Sequence, residues 1–204
     1  AYTHTPKPTP TDPPPYSFEL ECRSRGPQLA RGLGWVGRTH THMLTHTHVH
    51  LQPLTRKNFA PFGDVIQIDG SKQFEINSGY TTRVHDLIDI QLGGEDAWPQ
   101  FSLFLGRPRP LEITMLEKHP LGSQAFFPVE ERRWLVVVAT EPKAESVHAF
   151  WASGRQGVNY HRNIWHHPLL VLEPQQFVVI DRGGDGHNCD ETELDTAVLI
   201  TMSE

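Results

Sequence analysis

Cysteine is scarce in this chain of 204 residues. There are two, Cys22 and Cys189. One stands near each end, which argues against a disulfide framework and favours a reducing compartment. Long apolar runs are missing, since no stretch approaches the roughly 18–20 residues of a membrane span. The Pro/Thr-rich start also lacks the apolar segment of a secretory signal. The expected location is cytoplasmic, with organelle targeting left open by the N-terminal extension. Basic charge is in short supply. Residues 51–204 carry 13 Lys/Arg against 21 Asp/Glu, and the chain as a whole has a formal charge of -6. An acidic domain without a basic face excludes nucleic acid as the partner. Helical periodicity is almost absent too, which leaves strands as the main structural element.

The first fifty residues differ from the rest. They hold seven of the 17 prolines and six of the 13 histidines. Residues 1–46 read as a low-complexity Pro/Thr/His-rich extension, expected to be disordered because proline disfavours both helix and ladder. In the run Thr39–His50 five histidines occupy even positions, which an extended chain would put on one face. Residues 47–204 form one folded domain. A first strand is expected over Val49–Leu54, and Thr55 is placed to cap a short helical turn through Phe59. In Gln100–Leu105, Phe101, Leu103 and Leu105 share one strand face. The run Trp134–Ala139 is too continuously apolar to have an open face. Many short strands separated by Gly/Pro turns indicate an all-β antiparallel sandwich or barrel.

Two segments concentrate polar groups inside this β pattern. One is Glu117-Lys118-His119-Pro120-Leu121-Gly122-Ser123-Gln124. The other runs from Gly157 to Pro168 and contains His161, Arg162, Asn163, His166 and His167. Burying so many polar groups is costly unless each finds a partner, so their clustering points to a polar site. Residues two apart in a strand share a face. Glu117 and His119 therefore point the same way, Lys118 points away, and Gln124 on the returning strand can face the first two. His166 and His167 point to opposite sides, so one of them can join Glu117 and His119. Imidazole, carboxylate and amide oxygen suit a first-row divalent ion such as Ni, Mn, Fe or Zn. Nothing calls for an organic cofactor. Cys189, among acidic neighbours, lacks the cationic setting of a nucleophilic thiol.

These two segments together are similar to the ureidoglycolate lyase family (also called ureidoglycolate hydrolase) of the cupin superfamily. Three further blocks agree: Phe59–Ile66, Ile76–Leu87, and Ile180–Gly184 with Asn188-Cys189-Asp190. The resemblance covers about residues 48–204. It implies a cupin-type double-stranded β-helix barrel, with a few short helices, that assembles as a homodimer. It also implies cleavage of (S)-ureidoglycolate to glyoxylate and urea in allantoin and purine catabolism, with dependence on a divalent metal such as Ni, Mn or Zn. A metal-binding cupin usually opens with His-x-His and then Glu. Here Glu117, His119 and Gln124 stand in those places, with His166 in the second motif as the fourth ligand.

The implied reaction sets requirements of its own. The hydroxyl proton must leave while the departing urea nitrogen gains one. Imidazoles titrate near neutral pH, so His119, His161 and His166 are the candidate bases. The substrate carboxylate calls for a bidentate arginine, with Arg83 and Arg162 as candidates and Arg182 behind them. Asn77, His85 and Asn163 are candidates for holding the ureido group, although Asn77 beside Gly79 suits a turn equally well. A cupin that acts on another small hydroxy acid, or only binds a metabolite, remains the alternative.

Overall fold

The computed structural model describes residues 46–202, so the expected extension over residues 1–46 lies outside the described residues except for His46. The chain runs β1 (Thr47–Pro53), helix α1 (Arg56–Phe59), β2 (Gly63–Ile66), β3 (Lys72–Ile76), β4 (Thr81–His85), β5 (Trp98–Gly106), β6 (Glu112–Lys118) and β7 (Gln124–Pro128). It continues with β8 (Trp134–Ala139), β9 (Val147–Ala152), β10 (Gly157–Tyr160), β11 (Trp165–His166), β12 (Leu170–Val171), β13 (Gln175–Gly183) and β14 (Asp190–Thr201). Seven strands form one sheet in the order β11-β6-β14-β1-β9-β8-β12, and β11 also pairs with β8, so this sheet closes on itself. A second sheet has the order β2-β10-β7-β13-β5, and β3 and β4 form a separate hairpin. This is an all-β barrel, one of the two architectures that the strand pattern called for.

Local rules account for the elements. Thr55 caps α1 reciprocally: its hydroxyl accepts from Asn58 N at 3.2 Å, and the Asn58 side chain accepts from Thr55 N at 2.9 Å. All six residues of β8 are buried. Trp134, Val136 and Val138 pack with Phe59, Phe126, Phe150 and Phe177 between the two sheets. Leu135, Val137 and Ala139 pack with Ile113, Leu116 and Val198 on the opposite face of the large sheet. Each Leu or Val buried this way contributes about 1.5–3 kcal/mol, which is why β8 tolerates no polar face. Gly63 permits the close β2–β10 pairing. Its φ is +154°, and a Cβ there would run into the carbonyl oxygen of Asn159.

One expectation needs correction. Strand β1 pairs in parallel with both β14 and β9, so the ladder is not wholly antiparallel. Phe101, Leu103 and Leu105 share a face as expected, and that face looks outward.

Candidate active site

Strand pairing assembles the polar residues. The β6–β11 ladder sets His166 opposite Glu117, and the β7–β10 ladder sets Tyr160 opposite Gln124. His166 is 1% exposed and lies flat on the Tyr160 ring, with centroids 4.2 Å apart and planes 10° from parallel. The His119 ring centroid is 5.2 Å from that of His166. Ligand atoms of Glu117, His119 and His166 all lie within 4.8 Å of one another. Lys118 points the other way, to Asp190 at 3.6 Å and over the Trp165 ring.

Hydrogen bonds fix both ring tautomers. His119 Nδ1 lies 2.7 Å from the carbonyl oxygen of Asn188, and His166 Nδ1 lies 2.9 Å from that of Ile164. A carbonyl can only accept, so each Nδ1 carries a proton. In the neutral ring each Nε2 is then a lone pair. The Nε2 of His119 is 3.2 Å from Gln124 Oε1. The Nε2 of His166 is buried without a hydrogen-bond partner, and Glu117 Oε1 is 3.5 Å away. The Gln124 amide, turned to present its N–H, satisfies His119 Nε2, whereas the His166 Nε2 lone pair and the Glu117 carboxylate meet with no donor between them, an arrangement that calls for a positive charge. The backbone carbonyls behind the rings are the orienting partners that metal-bound histidines generally have. The donor set therefore fits a divalent cation.

The environment tunes the charges. Burial pushes the Glu117 carboxyl up, but the imidazoles of His166, His119 and His167 outweigh it and hold the group below the usual carboxylate range. Burial and then His166 push His119 down. His167 is pushed down to about 4, first by burial and then by the Arg109 guanidinium. Burial, with Glu117 nearby, pushes the Tyr160 hydroxyl up.

A cavity of about 620 Å³ opens beside the cluster. Glu117, Gln124 and Phe126 line it together with residues 102–106 of β5, Arg107, Arg109, Pro168 and Leu169. Neither His119 nor His166 lines it, so the imidazoles meet the cavity only through Glu117 and Gln124. A profile of known proteins described as "Ureidoglycolate lyase" matches residues 46–201. The chain belongs to the ureidoglycolate lyase family. A protein named "Ureidoglycolate lyase" from Burkholderia mallei (strain NCTC 10229) is 51% identical over 156 residues, which is 74% of this chain and 92% of that protein. One from Pseudomonas syringae pv. syringae (strain B728a) is 51% identical over 158 residues, 74% and 93% of the two chains. "Ureidoglycolate lyase 1" from Rhizobium meliloti (strain 1021) is 46% identical over 165 residues, 78% and 94%. Among solved structures, a mutant of Bacillus subtilis oxalate decarboxylase is 12% identical and covers 47% of this chain and 23% of its own at a TM-score of 0.32, a likeness too faint to carry an argument.

In this member of the lyase family, the residues expected to hold substrate lie elsewhere. Asn77, Arg83 and His85 belong to the β3–β4 hairpin and its turn, which pairs with neither sheet, and Arg83 sits over the Phe74 ring. Arg162 donates through Nε to Pro120 O at 3.0 Å, and exposed Asn163 forms a left-handed turn at φ 63°. Buried Arg182 donates to Gly93 O, Gly184 O and Asp185 O, so it ties loops together. None of these six lines the cavity. His161 departs from the cluster as well, with Nε2 3.0 Å from Asp64 Oδ2. The arginines that do line the cavity, Arg107 and Arg109, were not foreseen. Their one sequence signal is Arg107-Pro108-Arg109-Pro110, in which fixed proline φ angles stiffen a loop that carries two cations.

Asp64 anchors the neighbouring wall. Its Oδ2 accepts from Asn159 Nδ2 at 2.9 Å, Asp89 N at 3.1 Å and His161 Nε2 at 3.0 Å. Burial raises its pKa, but these bonds together lower it below 3.8. A group with a depressed folded pKa stabilises the fold above its unfolded pKa and loses that contribution as pH falls through the folded value. Asp64→Ala should cost about 2–3 kcal/mol at pH 7. The gap in melting temperature between wild type and variant should narrow below pH 3.8. A gap that is constant across an acid titration would show that Asp64 acts by packing alone.

Proposed function

We propose that this chain cleaves ureidoglycolate, in its (S) form, to glyoxylate and urea. The observation that carries the reading is the cavity wall, to which Glu117 contributes one carboxylate residue and Arg107 and Arg109 contribute two arginines. No hydrogen bond or ion pair with a described residue engages the side chain of Arg107 or Arg109. The substrate carboxylate needs such a cationic partner, and a planar fork serves it in bidentate fashion. Arg109, already felt electrostatically at His167, is the principal clamp, and Arg107 is the second.

Glu117 is the carboxylate of the cavity wall and the group of the polar cluster best placed to move a proton. It takes the proton of the substrate hydroxyl. The oxygen's electron pair then forms the carbonyl of glyoxylate as the carbon–nitrogen bond breaks, and Glu117 returns the proton to the departing urea nitrogen. No water is consumed. This assignment departs from an imidazole base, because His119 and His166 sit behind the wall and His161 pairs with Asp64. Gln124 orients the hydroxyl or the ureido group. Glu117, His119, Gln124 and His166 would hold a divalent ion such as Ni, Mn or Zn. When bound, that ion supplies Lewis acidity, which lowers the pKa of the substrate hydroxyl. The working assembly is a homodimer.

Purified protein incubated with racemic ureidoglycolate should release glyoxylate and urea and consume one enantiomer. Loss of substrate at the spontaneous rate, or ammonia in place of urea, would overturn the assignment. Arg109→Ala removes a charge-assisted bond made alike in ground and transition states, so KM should rise about 10–100-fold with kcat little changed. An unchanged KM would remove Arg109 from the clamp.

A further inference from the structure

We infer that His48, His50 and His148 form a transition-metal site on the outside of the barrel. The site is separate from the polar cluster of Glu117 and independent of the lyase reading. The tract of alternate histidines that ends at His50 takes no part in the candidate active site.

Strand β1 gives the end of the tract a fixed geometry. Val49 and Leu51 pack against the core, so His48 and His50 turn to solvent. Residues two apart on a strand stand about 6.4–6.8 Å apart. The third imidazole comes from β9, far along the chain. Leu51 pairs with Ala149 and Gln52 with Phe150 in a parallel ladder. One residue earlier on each strand, His50 stands beside His148, and neighbouring strands lie about 4.7–4.9 Å apart. Leu51 and Ala149 both turn to the core, so His50 and His148 both turn away from it. His148 is exposed, as His48 and His50 are.

Two of the three rings have orienting partners. His48 Nδ1 lies 3.3 Å from Thr201 Oγ1. That hydroxyl can accept the Nδ1 proton, which leaves Nε2 as a lone pair. The His148 ring leans on buried Phe62, with centroids 5.4 Å apart. Metal-bound histidines generally have such partners behind the ring. An ion about 2.0–2.1 Å from each nitrogen draws the nitrogens to about 3–4 Å from one another. Exposed side chains reach that by rotation about χ1 and χ2 from the backbone spacings above.

The ligand set selects the ion. Imidazoles without a carboxylate or thiolate suit Cu²⁺, Zn²⁺ or Ni²⁺, and Cu²⁺ binds most tightly of these. His46, the next residue of the column, faces Glu112 instead, with Nδ1 4.0 Å from Oε1. The formal charge of -6 favours the approach of a cation. A bound ion would tie β1 to β9 where the two strands run in parallel.

Calorimetric titration with Cu²⁺ tests the site. It is run in the His166→Leu chain, so that the polar cluster lacks a ligand. Melting temperature is not the readout, because the unfolded chain keeps the tract and binds the ion too. Adding His148→Ala should weaken the tightest Cu²⁺ at least about tenfold, since losing a ligand costs no less than losing the group that orients one. Adding His40→Ala with His42→Ala, two tract positions outside the described residues, should leave that affinity unchanged. An affinity that ignores His148→Ala would put the ion on the tract alone. One lost with His40 and His42 would put it outside β1. Either result overturns the site, as does a chain that binds no Cu²⁺. Should His148→Ala lose native circular dichroism through Phe62, His148→Phe keeps a ring there without nitrogens. The same tenfold loss is expected of it, and an unchanged affinity would count against the site.

Discussion

Glu117→Gln should lower kcat by about 10²–10⁴, the usual contribution of a positioned acid–base group, yet leave the melting temperature unchanged or raised. The two halves of this expectation have one cause. In the wild type the Glu117 carboxylate stands 3.5 Å from the unpartnered Nε2 lone pair of His166, acceptor against acceptor. An amide at position 117 has the same shape but brings two N–H donors. It can give one to His166 Nε2, the atom that at present costs stability by being buried without a partner. The reaction loses the only carboxylate that the described residues place on the cavity wall, while the fold loses an unfavourable contact of lone pairs. Function at the expense of local stability is a common pattern at active sites. Initial rates of glyoxylate release and a thermal melt check both halves on one sample. A rate within a few-fold of wild type would move the proton transfer to another residue. A large drop in melting temperature would show that the carboxylate is held by donors, contrary to the geometry described above.

Much of this arrangement was legible in the sequence, for local reasons. Period-two alternation puts Glu117 with His119 and turns Lys118 away, and the structure has Lys118 on Trp165. The unbroken run Trp134–Ala139 announces a strand buried on both faces, and Thr55 announces its helix because capping is settled within four residues. The failures are nonlocal. Parallel pairing of β1 with β14 joins Thr47 to Val198, and nothing near either residue encodes that choice. Alternation shows that Phe101, Leu103 and Leu105 share a face but not which side it takes, because the inward side is set by Phe104 meeting Phe126 from two strands away on the same sheet. Arg83 and Arg162 stand out in the sequence because they lie in polar motifs, whereas Arg107 and Arg109, which line the cavity, lie in a proline-interrupted loop with no period to read. Only the return of that loop toward β6 brings them to Glu117.

Adding Mn²⁺, Ni²⁺ or Zn²⁺ to metal-free protein should raise the melting temperature, and His166→Leu should abolish the rise. A ligand that binds only the folded state stabilises it by about 2.7 kcal/mol at a hundredfold excess over Kd. For a domain of this size that corresponds to roughly 5–10 °C. The substitution is chosen because Leu fills space beside Tyr160 while removing the lone pair that faces Glu117. The variant therefore tests ligation rather than packing, and the readout needs no turnover. The argument depends on electrostatic need. With His119 Nδ1 and His166 Nδ1 both committed to carbonyls, neither neutral ring can offer a proton to Glu117 or Gln124. The cluster must then take its positive charge from an ion or from protonation of an imidazole. The two sources separate experimentally, because an ion displaces protons: metal-induced stabilisation should grow as pH rises from 5 to 8, whereas a protonated imidazole would make the metal-free protein more stable as pH falls over the same range. A melting temperature that ignores all three metals and rises on acidification would assign the charge to a proton, and the site would then work through Glu117 and its two imidazoles alone.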